Sequence, residues 1–66
     1  MKNIIKIERA LKKVTQDDLA KMIGVSRQTI NSIELNKYTP STLLALKIAR
    51  VFQKRVEEIF QLEEFD

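Results

Sequence analysis

The chain has 66 residues and a net charge of +3, from 12 Lys and Arg against 9 Asp and Glu, with no Cys and no His. Those absences exclude disulfides and the usual zinc ligand sets, and they leave no imidazole or thiol for catalysis. No apolar run is long enough to span a bilayer, and the opening MKNIIKIERA fits no signal peptide, so the expected setting is a reducing cytoplasm.

This length allows one small domain with a modest core. Ile4, Ile7, Leu11 and Val14, with Ala10 beside them, follow the spacing of one helix face. They predict a first helix from about Asn3 or Ile4 to Lys13, with Asn3 available as its cap. The start reads alternatively as a short strand over residues 2–5, because paired isoleucines favour that form as well.

The stretch from Gln16 to Glu34, QDDLAKMIGVSRQTINSIE, organises the rest. Leu19, Ala20 and Ile23 share one face of a second helix, and Ile30 and Ile33 share a face of a third. Ala20 is small where two helices must cross closely. Between them Gly24 supplies the positive φ of a sharp reversal. Thr15 caps the second helix, and Asp18 three residues later completes a capping box; Ser26 caps the third. Val14 with Leu19, and Val25 with Ile30, carry the spacing of hydrophobic staples. This is the sequence form of a helix-turn-helix, whose second helix can enter the DNA major groove.

The third helix ends near Leu35, where Asn36 suits a left-handed cap. Lys37 to Pro40 forms a short loop, and either Thr39 or Ser41 caps the next helix. That fourth helix, from about Ser41 to Phe52, has a wide apolar belt and is expected to be the most buried. Gln53-Lys54-Arg55 is a polar break before a short fifth helix containing Val56, Ile59 and Phe60. The tail from Gln61 to Asp66 leaves Leu62 and Phe65 in need of cover. Its alternation of apolar and charged residues also fits a strand beside residues 1–5. The expected fold is therefore all-α: five helices in a single domain over residues 1–66, with a short N- and C-terminal strand pair as the open alternative.

Charge is unevenly spread. Residues 1–55 hold every Lys and Arg and only four acidic residues, a balance of +8, whereas residues 56–66 hold five acidic residues and no base. A basic body suits a polyanion, and the acidic end is expected to lie away from it.

Arg9, Thr15-Gln16, Leu19-Ala20, Gly24-Val25-Ser26, Ile30, Ile33-Glu34 and Pro40 together carry a resemblance. The chain resembles the Xre, or phage-repressor (Cro/cI-type), helix-turn-helix family, and in particular the small cytolysin-repressor-like regulators. The latter likeness rests on Ser26 to Asn31, Asn36-Lys37-Tyr38, Leu44 to Ala49 and Ile59-Phe60-Gln61. It covers nearly the whole chain. Two positions depart from the pattern: Asn36 stands where Gly is common, and Glu8 where a large apolar residue usually precedes the arginine. The resemblance implies a lambda-repressor-like DNA-binding fold, an ion pair joining Arg9 to Glu34, a phosphate contact at Gln16, and dimerisation through the C-terminal end.

The residues themselves fit that implication. At the front of the third helix Arg27 can bond guanine O6 and N7 together, and Gln28 can do the same to adenine N6 and N7. Ser26, Thr29, Asn31 and Ser32 complete the candidate reading surface. Gln16 opens a helix, where dipole and free amides favour a phosphate; otherwise it is an ordinary first-turn polar residue. Lys37, Tyr38 and Thr39 can grip further phosphates, with Tyr38 alternatively a lid on the core.

One recognition helix reads only a few base pairs, so a homodimer on a palindromic operator is expected. Ile59, Phe60, Leu62 and Phe65 are the candidate interface, unless they close the monomer core instead. The function expected is a sequence-specific double-stranded DNA-binding transcriptional regulator acting as a repressor. An antitoxin or other protein-interaction module of the same fold is the alternative. No enzymatic activity, cofactor, metal or small-molecule ligand is expected.

Overall fold

Local capping chemistry sets where the central helices begin. In the computed structural model, which describes residues 1–66, Thr15 Oγ1 accepts the Asp18 N–H at 3.0 Å while Asp18 Oδ2 accepts the Thr15 N–H at 3.1 Å. That reciprocal pair opens the helix Gln16–Ile23. Ser26 Oγ accepts the Thr29 N–H at the start of Arg27–Glu34, and Ser41 Oγ accepts the Leu44 N–H at the start of Thr42–Val51. Ser41, not Thr39, thus caps the fourth helix.

In chain order the elements are β1 (Lys2–Asn3), α1 (Ile5–Lys12), α2 (Gln16–Ile23), α3 (Arg27–Glu34), α4 (Thr42–Val51), α5 (Val56–Ile59) and β2 (Phe60–Gln61). The two strands pair antiparallel, Lys2 with Gln61 and Asn3 with Phe60. Both readings of the N-terminus therefore hold in sequence: a strand over residues 2–3, then a helix that starts at Ile5. Asn3 still acts locally, its Oδ1 accepting the Ile5 N–H at 3.2 Å.

Gly24 ends α2 at φ +77°, and Asn36 follows α3 at φ +60°. Lys13 and Gln53 also take the left-handed conformation, each at φ +55°. With one glycine in the chain, the other reversals fall on residues that bear a Cβ.

The core gathers one or more apolar side chains from every helix. Ile5 comes from α1, Leu19, Ala20 and Ile23 from α2, and Ile30 and Ile33 from α3; Ile48, Ala49, Phe52, Ile59 and Phe60 close the other side. Each fully buried isoleucine contributes about 1.5–3 kcal/mol relative to exposure. Val14 and Val25, at their staple positions, pack against this core.

Three expectations are corrected here. The apolar face read for α1 holds only at its ends: Ile4 and Val14 pack against the core, but Ile7 and Leu11 are exposed, and Ile5 and Glu8 are the buried residues. Helix rotation is fixed from outside, because β1 pairs with β2 and the Ile4 N–H is donated to the Ile59 carbonyl at 3.0 Å. Glu8 tolerates burial because Lys54 Nζ reaches its carboxylate at 2.8 Å. Second, α4 is not the most buried helix, since Leu43 and Leu46 are exposed. Its belt is wider than the surface available to cover it. Third, Ile59 and Phe60 lie in the monomer core, so they are unavailable to a second subunit; Leu62 and Phe65 alone remain exposed of the four.

Candidate nucleic-acid interface

The packing of α2 against α3 buries Ile30 and Ile33 and turns the opposite side of α3 outward. Arg27, Gln28 and Asn31 are exposed on that side, with Ser32 partly covered. Together with Gln16 they line one wholly polar concavity. A second concavity adjoins it, with Lys13, Thr15, Gln16 and Arg27 among its walls. The second also includes Ala10 and Val14, whereas the first, lined by polar residues alone, suits base edges and phosphates better than a drug-like ligand.

The capping residues are partly spent. Ser26 Oγ serves the Thr29 amide and lies 3.0 Å from Thr29 Oγ1, so those two hydroxyls engage each other. Helix electrostatics separate the two candidate anion sites. The first turn of α3 carries no acidic residue, whereas that of α2 carries Asp17 and Asp18. Asp17 pairs with Lys21 at 3.2 Å. Asp18 is held below its usual carboxylate range because it accepts the Thr15 backbone N–H.

Behind the surface lies an ion pair. Arg9 Nε meets Glu34 Oε2 at 2.6 Å and Arg9 Nη2 meets Glu34 Oε1 at 3.0 Å, a two-point contact between α1 and α3. Arg9 Nη1 also donates to the Val14 carbonyl at 3.1 Å. The carboxylate raises the Arg9 pKa further, chiefly through these hydrogen bonds. With most of both side chains covered and the guanidinium bonded to Glu34 and Val14, the pair is a brace for α3.

Gln16 does not stand free at the helix start. Its Nε2 donates to Glu34 Oε1 and to Asn31 Oδ1, each at 3.1 Å. Sequence reasoning missed this link, although Asn31 and Glu34 stand three residues apart on one face of α3. It also missed Asn3, whose Nδ2 donates to the Ile33 carbonyl at 3.0 Å and to Asn36 Oδ1 at 3.2 Å. Those bonds tie β1 to the C-terminal end of α3.

Lys37, Tyr38 and Thr39 are exposed in the loop beyond α3. Tyr38 borders a small cleft with Met1, Asn3, Ile33 and Phe60 and remains 45% exposed, so it flanks the core without sealing it. The acidic tail is held at the N-terminus, where the Met1 amino group contacts Glu63 at 3.1 Å and Asp66 at 2.9 Å. No helix is long and apolar enough to cross a membrane.

Residues 5–59 match the helix-turn-helix family. A chain of Methanocaldococcus jannaschii named as an uncharacterised HTH-type transcriptional regulator is 56% identical over 64 residues, covering 97% of both chains. One from Archaeoglobus fulgidus with the same description is 50% identical over 97% of this chain and 90% of its own length. The regulator YgzD of Bacillus subtilis, likewise uncharacterised, is 47% identical over 97% of both. With an exposed polar α3 braced on α2 and α1, and a family match over most of its length, the chain belongs to the helix-turn-helix family of DNA-binding transcriptional regulators.

Proposed function

We propose that this protein is a sequence-specific repressor that binds a palindromic operator as a homodimer in the cytoplasm. The observation that carries the reading is α3 itself. Arg27, Gln28 and Asn31 are exposed together on a helix whose first turn bears no acidic residue, and whose other side is fixed in the core. Arg27 and Gln28 supply the paired donors and acceptors that distinguish bases in the major groove. Lys37, Tyr38 and Thr39 extend the contact to phosphates, which set affinity and register. Residues 1–66 act in this as a single domain.

Dimerisation follows from the size of the reading surface. Two copies must place their α3 helices about 34 Å apart, one turn of B-DNA. Leu62 and Phe65 are 80% and 96% exposed, and they are the C-terminal apolar residues that a twofold contact would cover. Occupancy of an operator by such a dimer excludes other proteins from the same DNA, which is repression in its simplest form.

The test is selection of binding sites from a random duplex pool at near-physiological salt. A consensus with two inverted half-sites supports the proposal. Enrichment of a single, unrepeated half-site contradicts the dimer, and failure to enrich any sequence contradicts specific binding.

A protein-interaction role, such as an antitoxin, is favoured by one observation: Ile7 and Leu11 form an exposed apolar pair on α1. Co-purification of a second chain, lost on Leu11→Ser, would support it.

A further inference from the structure

The reversal that ends α3 is set by main chain and side chain together. Asn36 takes φ +60° and donates its N–H to the Ile33 carbonyl at 3.0 Å, while the Lys37 N–H is donated to the Ser32 carbonyl at 2.9 Å. Glycine usually supplies the left-handed residue of this helix-ending pattern, because it has no Cβ to crowd the backbone. Asparagine tolerates the conformation less well but carries a side chain that glycine lacks. Here that side chain is engaged: Asn36 Oδ1 accepts from Asn3 Nδ2 at 3.2 Å.

That bond is one half of a clasp. The other hydrogen of Asn3 Nδ2 goes to the Ile33 carbonyl at 3.0 Å, so this carbonyl in the last turn of α3 receives two donors. Asn3 Oδ1 accepts the Ile5 N–H at 3.2 Å. A carbonyl can only accept, so the NH2 group must face Ile33 and the amide has one orientation. Asn3 is itself fixed by its pairing with Phe60 across β1 and β2. Asn3, Ile33 and Asn36 border one narrow cleft with Tyr38, Thr39 and Pro40. The loop from Lys37 to Pro40 is thus held at its near end by the clasp. At its far end the fixed φ of Pro40 and the Ser41 cap of α4 hold it.

We infer, on the DNA-binding reading above, that Asn3 and Asn36 are positioning residues that hold Lys37 at a DNA phosphate. Lys37 directly follows Asn36 and its side chain is exposed. A lysine on a flexible stem loses conformational entropy when it settles on a phosphate, and a backbone already fixed at its base lowers that loss. The clasp carries no charge and acts through the backbone of the loop. It therefore governs affinity for any duplex and leaves the choice among sequences to α3. The ribbon of residues 2–3 and 60–61 becomes, through Asn3, a support for the DNA contact.

The test compares wild type with Asn36→Gly, Asn3→Ser, Lys37→Ala and the double variant of Asn36→Gly with Lys37→Ala. Melting temperature is measured for each, with affinity for the selected operator and for random duplex across a salt series. Asn36→Gly keeps the left-handed cap and removes one bond of the clasp, so it should melt within a few degrees of wild type. Its affinity for both duplexes should fall by the same factor, roughly three- to tenfold, with the salt slope lowered by up to about one. Asn3→Ser leaves a hydroxyl near the Ile5 N–H but is too short to reach Ile33 or Asn36, and it should weaken both duplexes alike. In the Lys37→Ala background Asn36→Gly should have a much smaller effect, because the contact it positions is already gone. Folded Asn36→Gly and Asn3→Ser that bind as wild type does would reduce the clasp to a helix cap and overturn the inference. So would losses that add fully to that of Lys37→Ala, or that fall on the operator alone. If Lys37→Ala leaves the salt slope unchanged, the loop does not grip phosphate and the inference falls, while a consensus selected by wild type still upholds reading by α3.

Discussion

Glu8 and Lys54 meet at 2.8 Å between α1 and the segment after α4, with the carboxylate side chain 4% exposed and the lysine 38%. The pair is asymmetric. The Lys54 pKa is raised, first by its hydrogen bond to Glu8. Lys54→Met strands a buried carboxylate and should destabilise the fold measurably, though less than breaking a fully buried pair, because the lysine is partly hydrated. Glu8→Leu leaves a lysine that can turn to water, and should cost less than Lys54→Met. Denaturant unfolding of both variants measures the difference, and equal losses would contradict this asymmetry.

The Arg9–Glu34 contact leads to a separate expectation. Arg9→Met should cost roughly 3 kcal/mol by leaving Glu34 unpaired beside the core. Its DNA affinity, measured well below its melting temperature and corrected for the folded fraction, should fall far less than that of Arg27→Ala. A large loss in fully folded Arg9→Met would instead place the guanidinium on DNA.

Stability should depend on pH in two limbs. Asp18 and Glu58 are both held below their ordinary values, each by accepting a backbone N–H, from Thr15 and Arg55 respectively. A depressed carboxylate pKa stabilises fully above the unfolded values of about 3.9 and 4.3, and that contribution is lost as pH falls through the folded values. The Lys54 pKa is raised, so its contribution is complete below about 10.4 and is lost as pH rises through the folded value. The Met1 amino group has its pKa raised first by its hydrogen bond to Asp66 and then by Glu63. It likewise contributes fully below about 8 and loses that contribution as pH rises through the folded value. Melting temperature should therefore be nearly level from about pH 5 to 8 and fall on both sides. Asp18→Asn should flatten the acid limb.

The legible parts of this protein were those decided within three or four residues. Thr15 with Asp18, Ser26 with Thr29, Gly24 and Asn36 act on their immediate neighbours, so the sequence displays both partners at once. The rotation of α1 was not legible. Ile4, Ile5, Ile7 and Leu11 surround much of that helix, and the residue that decides its buried side is charged. Only Lys54, 46 residues away, makes burying Glu8 tolerable. The same limit applied to the C-terminal end, where Ile59 and Phe60 looked spare until β2 folded them onto the core beside β1. Within the interface, Arg27 and Gln28 were visible as exposed polar residues between buried isoleucines. The link from Gln16 to Asn31 needed two helices to be placed side by side.

Subunit association should be separable from folding. Leu62→Ser with Phe65→Ser should convert a dimer to a monomer in sedimentation experiments with little change in melting of the monomer. Phe60→Ser should instead unfold the chain, since that ring is buried. If the tail variants sediment as wild type does, the twofold contact lies elsewhere.

Whether α3 reads sequence is measured by the ratio of affinities for the selected operator and for random duplex, across a salt series, in wild type and Arg27→Ala. Wild type should prefer the operator by about 10³ or more. Arg27→Ala should lose much of that ratio while keeping most of its affinity for random duplex. Equal wild-type affinities for the two duplexes, both falling steeply with salt, would show charge attraction alone and contradict the account.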